Sequence, residues 1–311
     1  MVILNDRPGQ LCNRIWACAS FIAQALHQKS RLVVPYFGDY APLFENLNRY
    51  SNIWFIEQDN RVYYKATSYF FSLLKALPAP AQRGLHLYID RARWGVESWA
   101  PELLNDKRNT VILSGWNHPK PTESLPDYLE ALRAIFLPKP QYTSRVIAFL
   151  QQARSTHEVI VGVHLRRGDY REFMGGAYYY STEAFLAYMR QLAVILASRK
   201  VAFLVCSNEV INIADFAELH IIRLPEAQGI EDLYALGLCD YIMGPPSTFS
   251  MWASFYGNVP LRILKYKSES ITLEDFSPIV AGGTFANGQI FEHIENDYAY
   301  MQQLPSTPYE G

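Results

Sequence analysis

The stretch Glu158–Tyr170, "EVIVGVHLRRGDY", decides how this chain is read. It opens as a near-continuous apolar run, "EVIVGVHL", the pattern of a strand in a parallel sheet covered on both faces. The run then breaks into His164, two adjacent arginines (Arg166 and Arg167), Gly168 and Asp169. Three readings compete for that abrupt end: an anion site, an exposed Arg-Gly-Asp adhesion tripeptide, and a solvated loop in which an arginine simply pairs with Asp169.

The surrounding sequence repeats the strand and alternates it with helices. Downstream, "STEAFLAYMRQLAVILASRK" predicts a helix with Ser181 or Thr182 as N-cap. "VAFLVCSN" predicts a strand, "HIIRL" another, "IEDLYALGLC" a helix, "DYIMG" a strand, "STFSMWASFYG" a helix and "PLRILK" a last strand. At the other end of the chain, "MVILN" reads as a strand leading into a Pro8-Gly9 turn. The following "QLCNRIWACASFIAQALHQK" places Leu11, Ile15, Ala19, Ile22 and Leu26 at helical spacing, and "RLVVPYF" reads as a second strand. A βαβ unit of this kind opens an α/β sheet.

Residues 60–136 are less regular. "VYYKATSYFFSLLKAL" and the stretch near "GLHLYIDRARW" predict helices, and "NTVILSGW" predicts a strand. Aromatic residues crowd this region (Tyr63, Tyr64, Tyr69, Phe70, Phe71, Tyr88, Trp94, Trp99, Trp116), as a core requires and as stacking on sugar faces would also use. "LPKPQ", Leu137–Gln141, reads as a linker, followed by a helix from Thr143 to Arg154. The expected organisation is a two-domain α/β protein, 1–140 and 141–290, with a tail over 291–311 that could cross back to the first domain.

Composition narrows the classes. The chain has 311 residues, is 50% apolar and only 19% charged, and has a formal net charge of -2. No global positive field draws it to nucleic acid or an anionic membrane, so an anion site must be local. The four cysteines (Cys12, Cys18, Cys206, Cys239) have no paired spacing, which fits reduced thiols in a reducing compartment. No secretory signal and no apolar stretch of about 20 residues is evident, so a cytoplasmic location is expected. The adhesion reading loses its basis, because it needs an exposed loop on an exported protein.

Chemistry-bearing residues gather at the carboxyl ends of the predicted strands, where parallel sheets bind ligands. The first strand of the second series delivers His164, Arg166, Arg167 and Asp169. "VAFLVCSN" delivers Ser207 and Asn208, and "DYIMG" delivers "PPSTFS", with Ser247, Thr248, Phe249 and Ser250 around a helix start. Free amides and hydroxyls at a helix N-terminus attract anions, and arginine adds bidentate hydrogen bonds to phosphate. Two arginines facing such a start read as a diphosphate cradle. There is no P-loop, no G-x-G-x-x-G after a strand, no H-x-x-x-H and no D-x-D, so a resident metal or dinucleotide is not expected.

Together these motifs resemble those of the GDP-fucose-dependent fucosyltransferases, the α1,2 family (glycosyltransferase family 11-like) that shares a His-x-Arg-Arg-x-Asp region with α1,6- and protein O-fucosyltransferases. That motif stands here as "HLRRGDY". "GQLCNRIWACASFIAQAL" is similar to the family's N-terminal Gly-x-Leu-Gly-Asn-Gln stretch, with Cys12 and Arg14 in place of glycine and glutamine. "VCSN" and "EDLYALGLCDYIMGPPSTFSMWASFYG" resemble its second and third motifs, with Pro246 and Met251 in place of serine and tryptophan.

The resemblance implies a GT-B-like fold, two Rossmann-like domains facing across a cleft, the first on the acceptor side and the second binding GDP-sugar. It implies inverting, metal-independent transfer of fucose from GDP-fucose to a hydroxyl of a galactose-containing glycan, with α1,2 linkage. A lipid-linked acceptor would bring peripheral membrane contact. The donor would meet Asn13, His164, Arg166, Ser207, Asn208, Ser247, Thr248, Phe249 and Ser250. Arg166 and Arg167 would stabilise the departing diphosphate. Asp169 and Glu172 are the nearest carboxylates to serve as base, with Asp169 alternatively holding an arginine. Another nucleotide sugar as donor, or a binding protein without catalysis, are the competing functions.

Overall fold

The computed structural model describes residues 1–89, 101–113, 121–265 and 268–291, and divides the chain into two compact units, Met1–Gln141 and Tyr142–Gly311.

In the first unit the elements run β1 (Val2–Leu4), α1 (Leu11–Gln28), β2 (Leu32–Val34), β3 (Ile53–Phe55), α2 (Arg61–Ala76), α3 (Ala79–Gly84), β4 (Leu87–Ile89), β5 (Thr110–Leu113) and α4 (Leu129–Ile135). The five strands form one parallel sheet in the order β3-β2-β1-β5-β4. Helix α1 follows its apolar spacing: Ile15, Ala19 and Ile22 are fully buried. It stops at Lys29, whose left-handed backbone (φ 52) lets its N–H cap the carbonyls of Ala25 and Leu26.

The second unit begins with α5 (Pro140–Arg154) and β6 (Val159–Leu165), then α6 (Thr182–Ile195), β7 (Val201–Ser207), β8 (Ile221–Ile222), α7 (Gly229–Leu236), β9 (Tyr241–Gly244), α8 (Thr248–Gly257) and β10 (Leu261–Ile263). A short antiparallel pair, β11 (Ile279–Ala281) and β12 (Thr284–Phe285), follows. Here the sheet order is β10-β9-β6-β7-β8, again parallel, which is the Rossmann order 3-2-1-4-5 counted within the unit. All seven residues of β6 are buried, as a central strand with helices on both faces requires. Its neighbours pack closely at Gly162, where a Cβ would lie 2.6 Å from Leu236 Cδ2 and 3.1 Å from Cys239 Sγ, so a larger residue would need those side chains to shift. Helices α5 and α7 are joined by Arg145, which donates to both oxygens of the buried Glu231 carboxylate at 2.9 and 3.0 Å, while the Gln228 amide caps it at 2.7 Å.

The expected α/β class, with two Rossmann-like parallel sheets, is what the chain forms. Local expectations are corrected in four places. "GLHLYIDRARW" is helical only at Gly84, where α3 ends: His86 takes a left-handed φ of 51 and Leu87–Ile89 pairs with β5, because Leu87 gains burial against Phe71 and Ile112. The end of "LPKPQ" is not linker, since Pro140 opens α5, a position where its missing N–H costs nothing. Strand β3 and the β11–β12 hairpin are additional elements. Trp94, Trp99, Trp116 and the tail beyond Phe291 lie outside the described residues.

Candidate functional site

The second unit reverses its strand order between β6 and β9, and the chain leaving those two strands supplies the site. Leu165 ends β6, and Arg166 follows with its side chain one-fifth exposed. Its guanidinium donates Nε to Asp169 Oδ1 at 3.1 Å and Nη2 to Asp169 Oδ2 at 2.6 Å, a two-pronged pair. The remaining Nη1 donates to Ser247 Oγ at 3.3 Å, and the cation lies 4.5 Å from the centroid of the Tyr170 ring. Tyr170 in turn donates its hydroxyl to the Pro246 carbonyl at 2.6 Å, tying the β6 loop to the β9 loop. Arg166 beside it is the main reason the Asp169 carboxyl sits below its ordinary value.

Ser247 is the N-cap of α8. Its Oγ accepts from the Phe249 amide at 3.2 Å, and its backbone carbonyl accepts from the fully buried Ser250 hydroxyl at 3.2 Å. The first turn of α8 carries no acidic residue. Arg166 therefore lies against the positive end of a ten-residue helix, so the guanidinium and the helix dipole both favour an anion there.

Arg167 turns the other way. Its Nη1 donates to Thr182 Oγ1 at 2.6 Å, and its Nε lies 2.6 Å from Glu209 Oε1 but off the line of a hydrogen bond. Arg171 meets the other oxygen of Glu209 at 3.3 Å. The Arg167 and Gly168 amides donate to Asn208 Oδ1 at 3.1 and 3.4 Å, and Asn208 Nδ2 donates to Asp169 Oδ1 at 3.2 Å. Ser207 stays local, its Oγ accepting from the Glu209 amide.

His164, the next-to-last residue of β6, is buried, and its ring packs 4.9 Å from that of Phe249. Burial, with Arg166 nearby, pushes its imidazole down to about 3, so it is neutral around pH 7. Its Nδ1 has no hydrogen-bond partner among the described residues. Gly244 on β9 makes room for it: a Cβ there would fall 2.8 Å from the His164 carbonyl oxygen and 2.9 Å from its Cβ.

Among the sequence-predicted residues, Arg166, Asp169, Asn208 and Ser247 thus form one hydrogen-bonded group, with His164, Phe249 and Ser250 packed around it. Thr248 is the half-buried first residue of α8. Glu172 is exposed, its amide bonded to the Asp169 carbonyl at 3.3 Å. Asn13 lies in the first unit on α1, its side chain folded against the Gly9 turn, where φ is 47 and a Cβ would sit 2.2 Å from Asn13 Nδ2. Beside it Arg14 is buried, donating to the Tyr36 carbonyl at 3.0 Å and pairing with Asp39.

Sequence reasoning missed Tyr170, Thr182 and Glu209 as members of this group. Tyr170 stands inside "HLRRGDY" and was the one with a local signal. Among the described residues, no group of three or more His, Cys, Asp or Glu is placed to hold a metal ion.

Residues 144–269 match the sequence model of glycosyl transferase family 11, a span that contains all of this second-unit site. Solved structures share the fold. Arabidopsis thaliana FUT1 in complex with GDP superposes with a TM-score of 0.57 at 15% identity, covering 86% of this chain and 70% of that one. The fucosyltransferase NodZ from Bradyrhizobium gives 0.55 at 17% identity, over 90% of this chain and 99% of its own. NodZ has also been captured as an alpha-1,6-fucosyltransferase soaked with GDP-fucose, at 0.54 and 16% identity, over 90% and 99% of the two chains. No curated protein sequence matches the chain.

Proposed function

Because residues 144–269 match the glycosyl transferase family 11 model, we propose an inverting fucosyltransferase that moves fucose from GDP-fucose to a hydroxyl of a galactose-containing glycan, forming an α1,2 linkage in the cytoplasm without a metal. The observation that carries this reading is Arg166, held by Asp169 against Ser247 at the start of α8. A sugar leaves GDP as negative charge grows on the diphosphate, and a cation fixed beforehand stabilises that charge without reorganising. Arg166 is such a cation, and the first-turn amides of α8 with the hydroxyls of Ser247 and Thr248 add donors of the same sign, while the Ser250 hydroxyl is spent on the Ser247 carbonyl. Arg167 contributes positive potential from the adjacent position while its own contacts hold Glu209 and Thr182 in place.

The neutral His164, packed on Phe249 beneath the loop, suits contact with the nucleoside, as do Ser207 and Asn208. Of the two candidate bases, Asp169 is engaged: it accepts two hydrogen bonds from Arg166 and one from Asn208, and its carboxyl is held acidic. The acceptor hydroxyl proton therefore passes to Glu172, which is exposed, while Asp169 positions the arginine. As the hydroxyl oxygen bonds to the anomeric carbon, the bond to the diphosphate breaks and the electron pair leaves with GDP.

Calorimetry and turnover test this. GDP is expected to bind tighter than UDP, and Arg166→Ala to lower kcat by about 10²–10³ with GDP-fucose and a panel of galactosides. UDP binding as tightly as GDP would sink the fucose reading. A parent protein with no donor turnover would leave a binder.

A further inference from the structure

Helix α2 turns an apolar stripe outward. Val62, Ala66, Tyr69 and Leu73 recur at helical spacing and are all exposed, with Val62 78%, Tyr69 67% and Leu73 51% accessible. Phe70 beside them is 53% accessible. This is not the face that holds the helix to its unit. Phe71, on the opposite side, is buried against Leu87 and Ile112, with Leu74, Leu77, Ile3 and Ile89 around it. The helix therefore has two apolar faces, one of them spent on the core and one left open.

Charge says what the open face fits. From Arg61 to Ile89 the chain has no aspartate or glutamate, yet it carries Arg61, Lys65, Lys75 and Arg83. That local excess stands in a chain whose acidic residues outnumber its lysines and arginines, 30 to 28. Arg61 and Lys65 are exposed and flank the stripe on one side, and Leu85, 64% accessible, follows the exposed Arg83. An apolar stripe edged by cations, on a helix with no carboxylate of its own and with Asp59 just before its N-cap, is the chemistry of a helix lying in the headgroup layer of an anionic bilayer. The 16-residue helix spans about 24 Å, and no described helix is long and apolar enough to cross a membrane. It would lie along the surface.

We propose that the outer face of α2, with the Arg83–Leu85 turn, docks the first unit on an anionic lipid surface. Apolar side chains enter the acyl boundary and the lysine and arginines meet the phosphates. A second copy of this chain is the competing occupant. It is disfavoured because two such faces would bring six cations together (Arg61, Lys65 and Arg83 of each) with no carboxylate from residues 61–89 beside them.

The test is flotation of the full chain with vesicles containing phosphatidylglycerol and with vesicles of phosphatidylcholine alone. Association is expected with the anionic vesicles, falling as salt is raised to about 0.5 M. The double variant Tyr69→Ser/Leu73→Ser is expected to lower the partition coefficient at least tenfold, roughly the transfer of one large apolar side chain. Arg61→Glu/Lys65→Glu is expected to lower it by a similar factor. All four positions are exposed, and circular dichroism with sedimentation velocity monitors fold and assembly. Equal binding to both vesicle types, or anionic binding that neither variant reduces, overturns the proposal. So does a parent dimer that the serine variant dissociates while the parent does not float.

Discussion

Asp169→Asn separates the two roles a carboxylate can take beside Arg166. In the structure Asp169 is an anchor, accepting Nε at 3.1 Å and Nη2 at 2.6 Å from one guanidinium. Charge-assisted hydrogen bonds of this kind contribute roughly 1.5–3 kcal/mol where water is excluded. The Asp169 side chain is 48% exposed, so solvent screening reduces that to about 1–2 kcal/mol. Asparagine keeps one acceptor oxygen but loses the charge and the second prong, so Arg166 is held there by one neutral hydrogen bond beside its bond to Ser247. The expected result is a loss of about 5- to 30-fold in kcat/KM for GDP-fucose, with a matching loss of GDP affinity by calorimetry. The proposed base is untouched, so the pH dependence of kcat/KM keeps its shape. Removal of a general base predicts something different: about 10²–10⁴-fold in rate, unchanged GDP affinity and a vanished acid limb. That second pattern would refute the anchoring role and return the proton to Asp169.

Two further substitutions probe what surrounds the site. Gly244→Ala places a Cβ within 2.9 Å of both the carbonyl oxygen and the Cβ of His164, so we expect a loss of about 1–3 kcal/mol in urea unfolding together with weakened GDP binding. A neutral outcome would mean that β9 can move away from β6 freely. Asp232 lies on α7 near Cys206, and burial pushes its carboxyl up from 3.8 to about 6. The folded chain then binds the extra proton between those values, so its stability falls as pH rises through that window and the full penalty stands above it. Asp232→Asn should therefore stabilise the protein by up to about 3 kcal/mol at pH 8 and have little effect near pH 4. Equal shifts at both pH values would contradict that account.

How much could be read in advance depended on how local the cause was. Strand β6 was legible because burial on both faces leaves six apolar or small residues and a histidine with no polar alternation. The start of α8 was legible because a serine N-cap acts on an amide two residues away. Leu87–Ile89 was not, since three residues carry no period and their strand exists only through pairing with β5, which starts more than twenty residues later. The two arginines show the same limit in the site. Their sequence says that charge gathers at a strand end, but not which way each side chain turns. Arg166 is directed by Asp169, three residues on, and Arg167 by Thr182 and Glu209, which α6 and β7 deliver from elsewhere in the chain. An expected pair of equivalent cations is thus one cation facing the helix start and one bracing the opposite wall.

The sheet of the first unit also dictates an order of assembly. β1 is its central strand, yet Val2 pairs with Leu32 on one side and with Val111 on the other, and the N-terminal amine donates to the Asn109 carbonyl. β1 leaves the ribosome before either neighbour, and β5 follows only after more than a hundred further residues. Until β5 emerges, the nascent chain exposes an unpaired edge of its own middle strand, and a fragment ending before residue 110 would keep that edge permanently.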